Sequence, residues 1–283
     1  MGEHIFTGIA EGLRGLLAGI GVPMLWNDVL LMLVKLVAIL VFILVNALWL
    51  VYMERKIAGY VQCRIGPNRT GPKGLLQSFA DIGKLMSKEF TWNRYTDKVV
   101  YMLAALFVFV PPFLIYAILP FGENMAAIDM NIGLLYFVAV ASLGTIMLFA
   151  AGWASNNKYS LVGGMRAVAQ MVSYELPLLL SLLGVVMLTG TLNLSDIVYA
   201  QQNVWFILTQ PVACVIFFVA ALAETNRSPF CLVEGESEII SGPYTEYSGM
   251  AFALFFLTEY AGVMLMSAMC TVLFFGDVYK RQG

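Results

Sequence analysis

Three glutamates, Glu175, Glu224 and Glu259, lie inside or at the edge of long apolar runs. A carboxylate within a membrane span costs at least ~2.5 kcal/mol on insertion scales, so each one needs a physical reason. Glu175 occurs in Ser173-Tyr174-Glu175-Leu176-Pro177. Pro177 removes a backbone donor there and frees a carbonyl nearby. Glu259 has apolar neighbours on both sides, and Glu224 closes a run with Arg227 one turn later and placed to pair with it. One such residue can be a polar contact between helices. Three in one chain point to proton or ion handling.

The segment that follows Glu224 is the densest in the chain. Glu224, Glu234, Glu236, Glu238 and Glu246 stand against Arg227 alone, interleaved with Pro, Phe, Leu, Ile and Gly. That mixture reads as packed rather than free in water. Glu234, Glu236 and Glu238 share one face of an extended strand, whereas on a helix Glu234 and Glu238 align. Crowded carboxylates cannot all ionise cheaply. Such a cluster can take up or release a proton when a nearby charge changes.

The elements that carry these residues are membrane spans. The chain has 283 residues, 60% hydrophobic and 12% charged, with mean hydropathy +0.81. That is too little polar surface for a soluble domain, which is nearer one quarter charged. Apolar stretches of about 20 residues recur, the length that crosses ~30 Å of hydrocarbon as a helix and too long for barrel strands. The fold is expected to be all-α and polytopic, with six spans at 28–52, 98–120, 133–153, 168–190, 203–223 and 249–275. The whole of 1–283 reads as one transmembrane domain, with loops at 53–97 and 224–248. The first apolar run is full length, so no cleavable signal is expected. Cys63, Cys214, Cys231 and Cys270 fit no zinc or iron–sulfur spacing, and His4 is the sole histidine. No metal site, no dinucleotide fingerprint and no nucleic-acid partner is expected.

Basic residues orient the spans. Arg55, Lys56, Arg64, Arg69, Lys73, Lys84, Lys88, Arg94 and Lys98 follow the first span, Lys158 and Arg166 lie in 154–167, and Arg227 lies in 224–248. Segments 121–132 and 191–202 carry no Lys or Arg. The positive-inside rule makes the first set cytoplasmic and puts the N-terminus outside. Lys280 and Arg281 do not fit that count. Residues 1–20 read as a short surface helix. In 73–90, Lys73, Gln77, Asp81, Lys84 and Lys88 form one polar helix face opposite Leu75, Phe79, Ile82 and Met86. This amphipathic interfacial helix follows the turn signals Gly66-Pro67-Asn68 and Gly71-Pro72, and its polar face suits an entry path for an amphiphile.

Several runs, in order, resemble one family. They are Glu54-Arg55-Lys56, Arg64-Ile65-Gly66-Pro67-Asn68-Arg69, Phe79-Ala80-Asp81, Lys88-Glu89, Arg166-Ala167-Val168-Ala169-Gln170, Ser173-Tyr174-Glu175, Glu224-Thr225-Asn226-Arg227 and Glu234-Gly235-Glu236-Ser237-Glu238. The family is the membrane subunit of respiratory complex I, NADH:quinone oxidoreductase, that seals the quinone chamber: the bacterial H subunit, whose mitochondrial counterpart is subunit 1. The resemblance covers nearly the whole chain. It implies a quinone chamber faced by Glu54, Arg55, Arg64, Asp81, Lys84 and Arg227. It also implies an acidic proton path through Glu175, Glu224, Glu234, Glu236, Glu238, Glu246 and Glu259. Quinone is then the substrate, and flavin and iron–sulfur clusters belong to partner subunits. The partners are the hydrophilic quinone-module subunits and neighbouring membrane subunits, in a bacterial inner membrane. The chain alone would bind no cofactor and catalyse nothing. Cys231 stands where the family usually has an acid, and two further spans are usual, so the chain reads as C-terminally truncated.

Three alternatives stand beside this one. A membrane-bound hydrogenase uses a related subunit without quinone. A stand-alone cation/proton antiporter predicts inverted repeats, which the sequence does not show. A purely structural anchor does not explain Glu175 and Glu259. Two outcomes follow from the sequence. Purified chain, free of other subunits, is expected to show no NADH:quinone reductase activity. In a cysteine-free background, a cysteine at Asn68 should be shielded from an impermeant reagent added outside, and one at Asn131 should react. Labelling of the Asn68 position from outside would overturn the topology.

Overall fold

The computed structural model describes residues 24–91, 93–122 and 127–276, with side chains from Leu33 onward except those of Glu236 and Ser237. The surface helix expected at 1–20, and Lys280 and Arg281, lie outside the described residues. Every described element is helical. The long helices are α1 (Met24–Val61), then α3 (Lys98–Tyr116), α4 (Gly133–Ala154), α5 (Lys158–Thr189) and α10 (Gly249–Cys270), the last extended by a π-turn, Thr271–Phe275. The short ones are α2 (Gln77–Ser87), α6 (Leu194–Ala200), α7 (Phe206–Thr209), α8 (Pro211–Glu224) and α9 (Glu236–Ile239).

Among the described residues, five helices are long and apolar enough to cross a membrane. The expected fifth span is divided. α7 stops at Thr209, and α8 restarts at Pro211 with 14 residues. Pro211 lacks an N–H and disfavours helical backbone at Gln210. Gln210 ties the break to α5 by donating its Nε2 to the Gly184 carbonyl at 2.8 Å.

Two helices outrun the expected spans. α1 has 38 residues and α5 has 32, about 57 and 48 Å at 1.5 Å per residue. Residues 53–61 and 158–167, expected in loops, are therefore helical. Hydropathy marks where the hydrocarbon ends, not where the helix does. Past that point Arg55, Lys56 and Arg166 are as good helix formers as the apolar residues before them. The amphipathic helix is shorter than 73–90 and starts at Gln77. Gly71, Lys73 and Gly74 take positive φ of 72°, 56° and 82°, and a Cβ on Gly74 would meet the Pro67 carbonyl oxygen at 2.2 Å. The chain has to turn tightly here before a helix can begin. Lys88 is extended and leaves the polar face.

Adjacent helices are antiparallel and share two ends. Asp97 N–H bonds Ala154 at one end, and Leu134 N–H bonds Leu192 at the other. Every described Lys and Arg except Lys35 lies toward the Asp97 end, hereafter the charged end. Lys35 precedes Glu54 by 19 residues on α1, about 28 Å and so one bilayer thickness away.

Packing divides into two layers. Near the charged end, Tyr101, Ala105, Leu148, Ala151, Ala167, Val233, Tyr247 and Phe255 are buried together. Farther in, Ile115, Phe137, Leu182, Phe217, Leu265 and Phe274 form the larger cluster. In the first layer small residues let backbones touch, which matters because lipid tails provide no hydrophobic drive for helix association. A Cβ on Gly163 of α5 would sit 2.5 Å from the Gly242 Cα, and one on Gly152 of α4 would sit 2.7 Å from the Ser160 carbonyl oxygen. Tyr101 and Tyr247 stack at 3.9 Å.

Gly163→Ala is therefore expected to lower the stability of the assembled complex by about 1–3 kcal/mol, read as an earlier thermal transition of this subunit. Gly83→Ala on α2, with nothing within 4 Å of the new carbon, should leave that transition in place. Equal behaviour of the two would contradict the close approach of α5 to the loop before α10.

Candidate functional site

The site is built around the last residues of α1 and the turn after α8. α8 ends at Glu224, Thr225 caps it, and Asn226 takes a positive φ of 52°. That reversal swings Arg227 away from Glu224. The expected Glu224–Arg227 pair does not form. Arg227 instead bonds Glu54 of α1 through Nη1 at 3.0 Å, and its Nε lies 2.9 Å from Glu259 Oε1 of α10. The second contact is an ion pair without good hydrogen-bond alignment, since Nε has no hydrogen-bonded acceptor. The guanidinium also lies 4.5 Å from the centre of the Tyr260 ring, and the Tyr260 hydroxyl donates to Glu54 Oε2 at 3.0 Å.

One cation thus serves two carboxylates from two helices. Glu259 is 14% exposed and Glu54 51%, so the pairs are unequal. The exposed pair is screened and weak. The buried one leaves an uncompensated charge if either partner goes. Burial alone would lower the Arg227 pKa, but Glu259, the Tyr260 hydroxyl and Glu54 outweigh it and hold it above the ordinary value. The guanidinium stays charged.

Gln170 fixes the turn that aims Arg227. Its Nε2 donates toward the Ala223 carbonyl at 2.9 Å, the Phe230 carbonyl at 3.0 Å and Asn226 Oδ1 at 3.2 Å. Two hydrogens are shared among three acceptors on both sides of the reversal. In the sequence Gln170 stands out only within a family-like run; nothing about its spacing marks a clamp. Tyr260 does not stand out at all, because a tyrosine beside an intramembrane acid reads as packing until its ring is seen under the guanidinium.

Beyond Glu259 a cavity of about 110 Å³ opens where the two packing layers meet, its wall carrying Glu224, Glu259, Thr145, Thr225, Thr258 and Asn226 among apolar side chains. That is room enough for ordered water, since one water needs only about 10–15 Å³ of such space. Glu175 of α5 acts electrostatically on Glu224 and accepts a hydrogen bond from Ser142 of α4. Tyr244, also on the cavity wall, is buried with the Glu259 and Glu234 carboxylates near it, and its phenol is raised well above the usual value. It remains a neutral donor.

The other residues singled out by the sequence lie around this centre. Arg55 pairs with Asp81 of α2, which Gln77 also bonds at 3.1 Å, so the α2 polar face does meet the end of α1. Lys84 is exposed on the same helix. Arg64 bonds Gln62 at 2.5 Å, past the end of α1, and is not brought to Arg227. Glu238 pairs with Arg166 at 2.6 Å. Arg166, Glu234, Glu238 and the exposed Cys231 line an open groove of about 660 Å³. Glu236 and Glu238 lie on the one-turn α9 after a left-handed Gly235, so the extended-strand face is not formed. The side chain of Glu236 lies outside the described residues. Glu246 accepts from Asn157 at 2.7 Å at the charged end and does not line the cavity. No group of three His, Cys, Asp or Glu among the described residues is arranged to hold a metal ion.

The chain has close relatives among known proteins. A family model described as NADH dehydrogenase matches residues 34–281. The chain is 53% identical over 276 residues to the H subunit of the NADH-quinone oxidoreductase of Carboxydothermus hydrogenoformans, covering 98% of this chain and 79% of that protein. It is 46% identical over 251 residues to the H subunit of Brevibacillus brevis, covering 89% and 75%, and 53% identical over 245 residues to that of Dehalococcoides mccartyi, covering 87% and 69%. The chain belongs to the family of NADH-quinone oxidoreductase H subunits. It is a multi-pass membrane subunit of complex I, and other complex I subunits are its partners. Membership of this family decides against the stand-alone antiporter.

Two variants probe the site's frame in the assembled complex. Gln170→Leu leaves three acceptors without their donor. It is expected to cost about 1–3 kcal/mol for a buried unsatisfied group, seen as a lowered thermal transition. Cys231→Asp places an acid in a groove that already has Arg166 beside it, and normal assembly on a native gel is expected. Loss of assembly would mean the thiol is buried by a partner in an apolar contact.

Proposed function

We propose that this chain closes one side of the quinone chamber at its charged end and starts the coupling of quinone reduction to proton translocation. The observation that carries the proposal is the bridge of Arg227 between Glu54 and Glu259. Glu54 lies among the polar groups at the end of α1, and Glu259 lies on the wall of the intramembrane cavity. A change of charge at one end is thereby felt at the other through a single side chain.

Arg55, Asp81, Gln77 and Lys84 offer a polar rim beside the apolar side chains Phe79, Ile82 and Met86 of α2. A quinone has a polar head and a long apolar tail, and such a rim suits it. Reduction to quinol consumes two electrons and two protons. In this reading the electrons arrive from NADH through flavin and iron–sulfur clusters of partner subunits, and this chain supplies protonic groups. A negative charge arising near Arg227 competes with Glu259 for the guanidinium. A carboxylate left unpaired in an apolar wall finds another cation or takes a proton. Cavity waters then connect Glu259 to Glu224, and Glu224 interacts with Glu175. Glu234 and Glu238 belong to the entrance of this path at the groove around Arg166. Glu236 and Glu246 are kept as members on sequence alone. That the relatives are H subunits of NADH-quinone oxidoreductases favours the quinone enzyme over the hydrogenase alternative. The proposed setting is a bacterial inner membrane with the charged end cytoplasmic and the N-terminus outside, because basic residues gather at that end.

Glutamine tests the relay because it keeps the size and hydrogen bonding of glutamate but carries no proton. Glu224→Gln and Glu175→Gln, each in complex that assembles normally, are expected to lower NADH:quinone turnover and proton pumping in vesicles at least several-fold. Normal turnover and pumping in both would leave the carboxyls as structural contacts and end the relay.

A further inference from the structure

Ser142 lies on α4 between the cavity-lining residues Ala141 and Thr145, facing α5. Its hydroxyl oxygen is within bonding distance of two acceptors: Glu175 Oε1 and the Val138 carbonyl one turn back, the latter at 3.1 Å. A serine hydroxyl has one hydrogen, so it can donate to one of them at a time. The choice depends on the carboxyl. An ionised carboxylate accepts only, and takes the hydrogen. A protonated carboxyl has a hydrogen of its own to donate, and the serine oxygen can accept it. The Ser142 hydrogen then turns to Val138, the back-bond that serines make within helices.

We propose that Ser142 is a positioning residue for Glu175, a hydroxyl rotor with two settings that supports the ionised and the protonated carboxyl in turn. In one setting Ser142 O–H donates to the Glu175 carboxylate. When a proton arrives on Glu175, the carboxyl O–H donates to Ser142 Oγ and the Ser142 hydrogen moves to the Val138 carbonyl. The arriving proton makes one O–H bond on Glu175; Ser142 keeps its own hydrogen throughout. Both protonation states are thus hydrogen-bonded inside the bilayer, where an unsatisfied polar group is costly. The rotor rests on Glu175 titrating in the proposed relay.

The charged surroundings are sparse. α4 carries no Asp, Glu, Lys, Arg or His. α8 presents Glu224, which interacts electrostatically with Glu175. The turn Gly242–Tyr244 presents Tyr244, and α9 presents Glu238, already paired with Arg166. Asp196 of α6 lies at the opposite end of α5. Ser142 is therefore the neutral partner in immediate contact with Glu175, and Glu224 is the charge that biases it.

The test uses assembled complex in membranes and reaction-induced difference infrared spectroscopy, with NADH:quinone turnover in parallel. Glu175→Gln identifies the carboxyl C=O band of Glu175 by its disappearance. In Ser142→Ala that band is expected to change frequency and turnover to fall several-fold, and Ser142→Thr should restore both. If Ser142→Ala does not assemble, Ser142→Cys, close in size but a weak donor, is read for the same two changes. A wild-type band and wild-type turnover in that serine variant, with the band still absent in Glu175→Gln, would overturn the rotor and leave the relay standing. A full band and normal turnover in Glu175→Gln itself would overturn both.

Discussion

A single guanidinium shared between an exposed and a buried carboxylate is the constraint on which the arrangement depends. Glu259 lies near mid-helix in α10, and without Arg227 it would have no cation beside it at the cavity wall. Arg227 can reach it only because the chain reverses at Asn226, and the reversal holds because Gln170 grips the backbone on both sides. Glu54 is then drawn to the same cation from α1, where Tyr260 also bonds it. Three elements far apart in sequence meet at one side chain. Displacing the turn that carries Arg227 leaves the buried carboxylate unpaired, a far larger loss than breaking the exposed pair with Glu54.

The cavity follows from how the helices pack around that point. The layer at the charged end uses glycine, alanine and stacked tyrosines to bring backbones together, while the deeper layer uses larger aliphatic and aromatic side chains. The two patterns do not interlock where they meet, and a void of about 110 Å³ remains between α3, α4, α5, α8 and α10. A purely apolar void of that size stays dry. This one carries carboxyl, hydroxyl and amide groups on its wall, enough partners to hold water in a span that otherwise excludes it.

Much of this was legible in the sequence. The costs of Glu175, Glu224 and Glu259 within apolar runs follow from hydrocarbon alone, and all three prove to be linked through the cavity or through direct electrostatics. The basic segments marked the charged end. Composition could not show where helices extend past the bilayer, because Lys56 and Arg166 prolong a helix as readily as leucine does. Nor could it show that Arg227 turns away from Glu224. Helical spacing favoured that pair, and one left-handed residue at Asn226 cancels the spacing. The break at Gln210–Pro211 was available in principle, since proline there could have divided the fifth span. Gln170 and Tyr260 act through tertiary geometry that no local pattern encodes.

The shared cation makes a quantitative demand. Removing Glu54 frees Arg227 to serve Glu259 alone, and removing Glu259 frees it to serve Glu54, so the two losses should not add. A double-mutant cycle with Glu54→Gln, Glu259→Gln and the double variant, read from the thermal stability of the assembled complex, measures this directly. A coupling between the two positions of about 0.5–3 kcal/mol is expected, the range seen for residues in one ion-pair network. Additive effects, within the few tenths of a kcal/mol expected of independent sites, would mean that Arg227 does not join the charged end to the membrane interior.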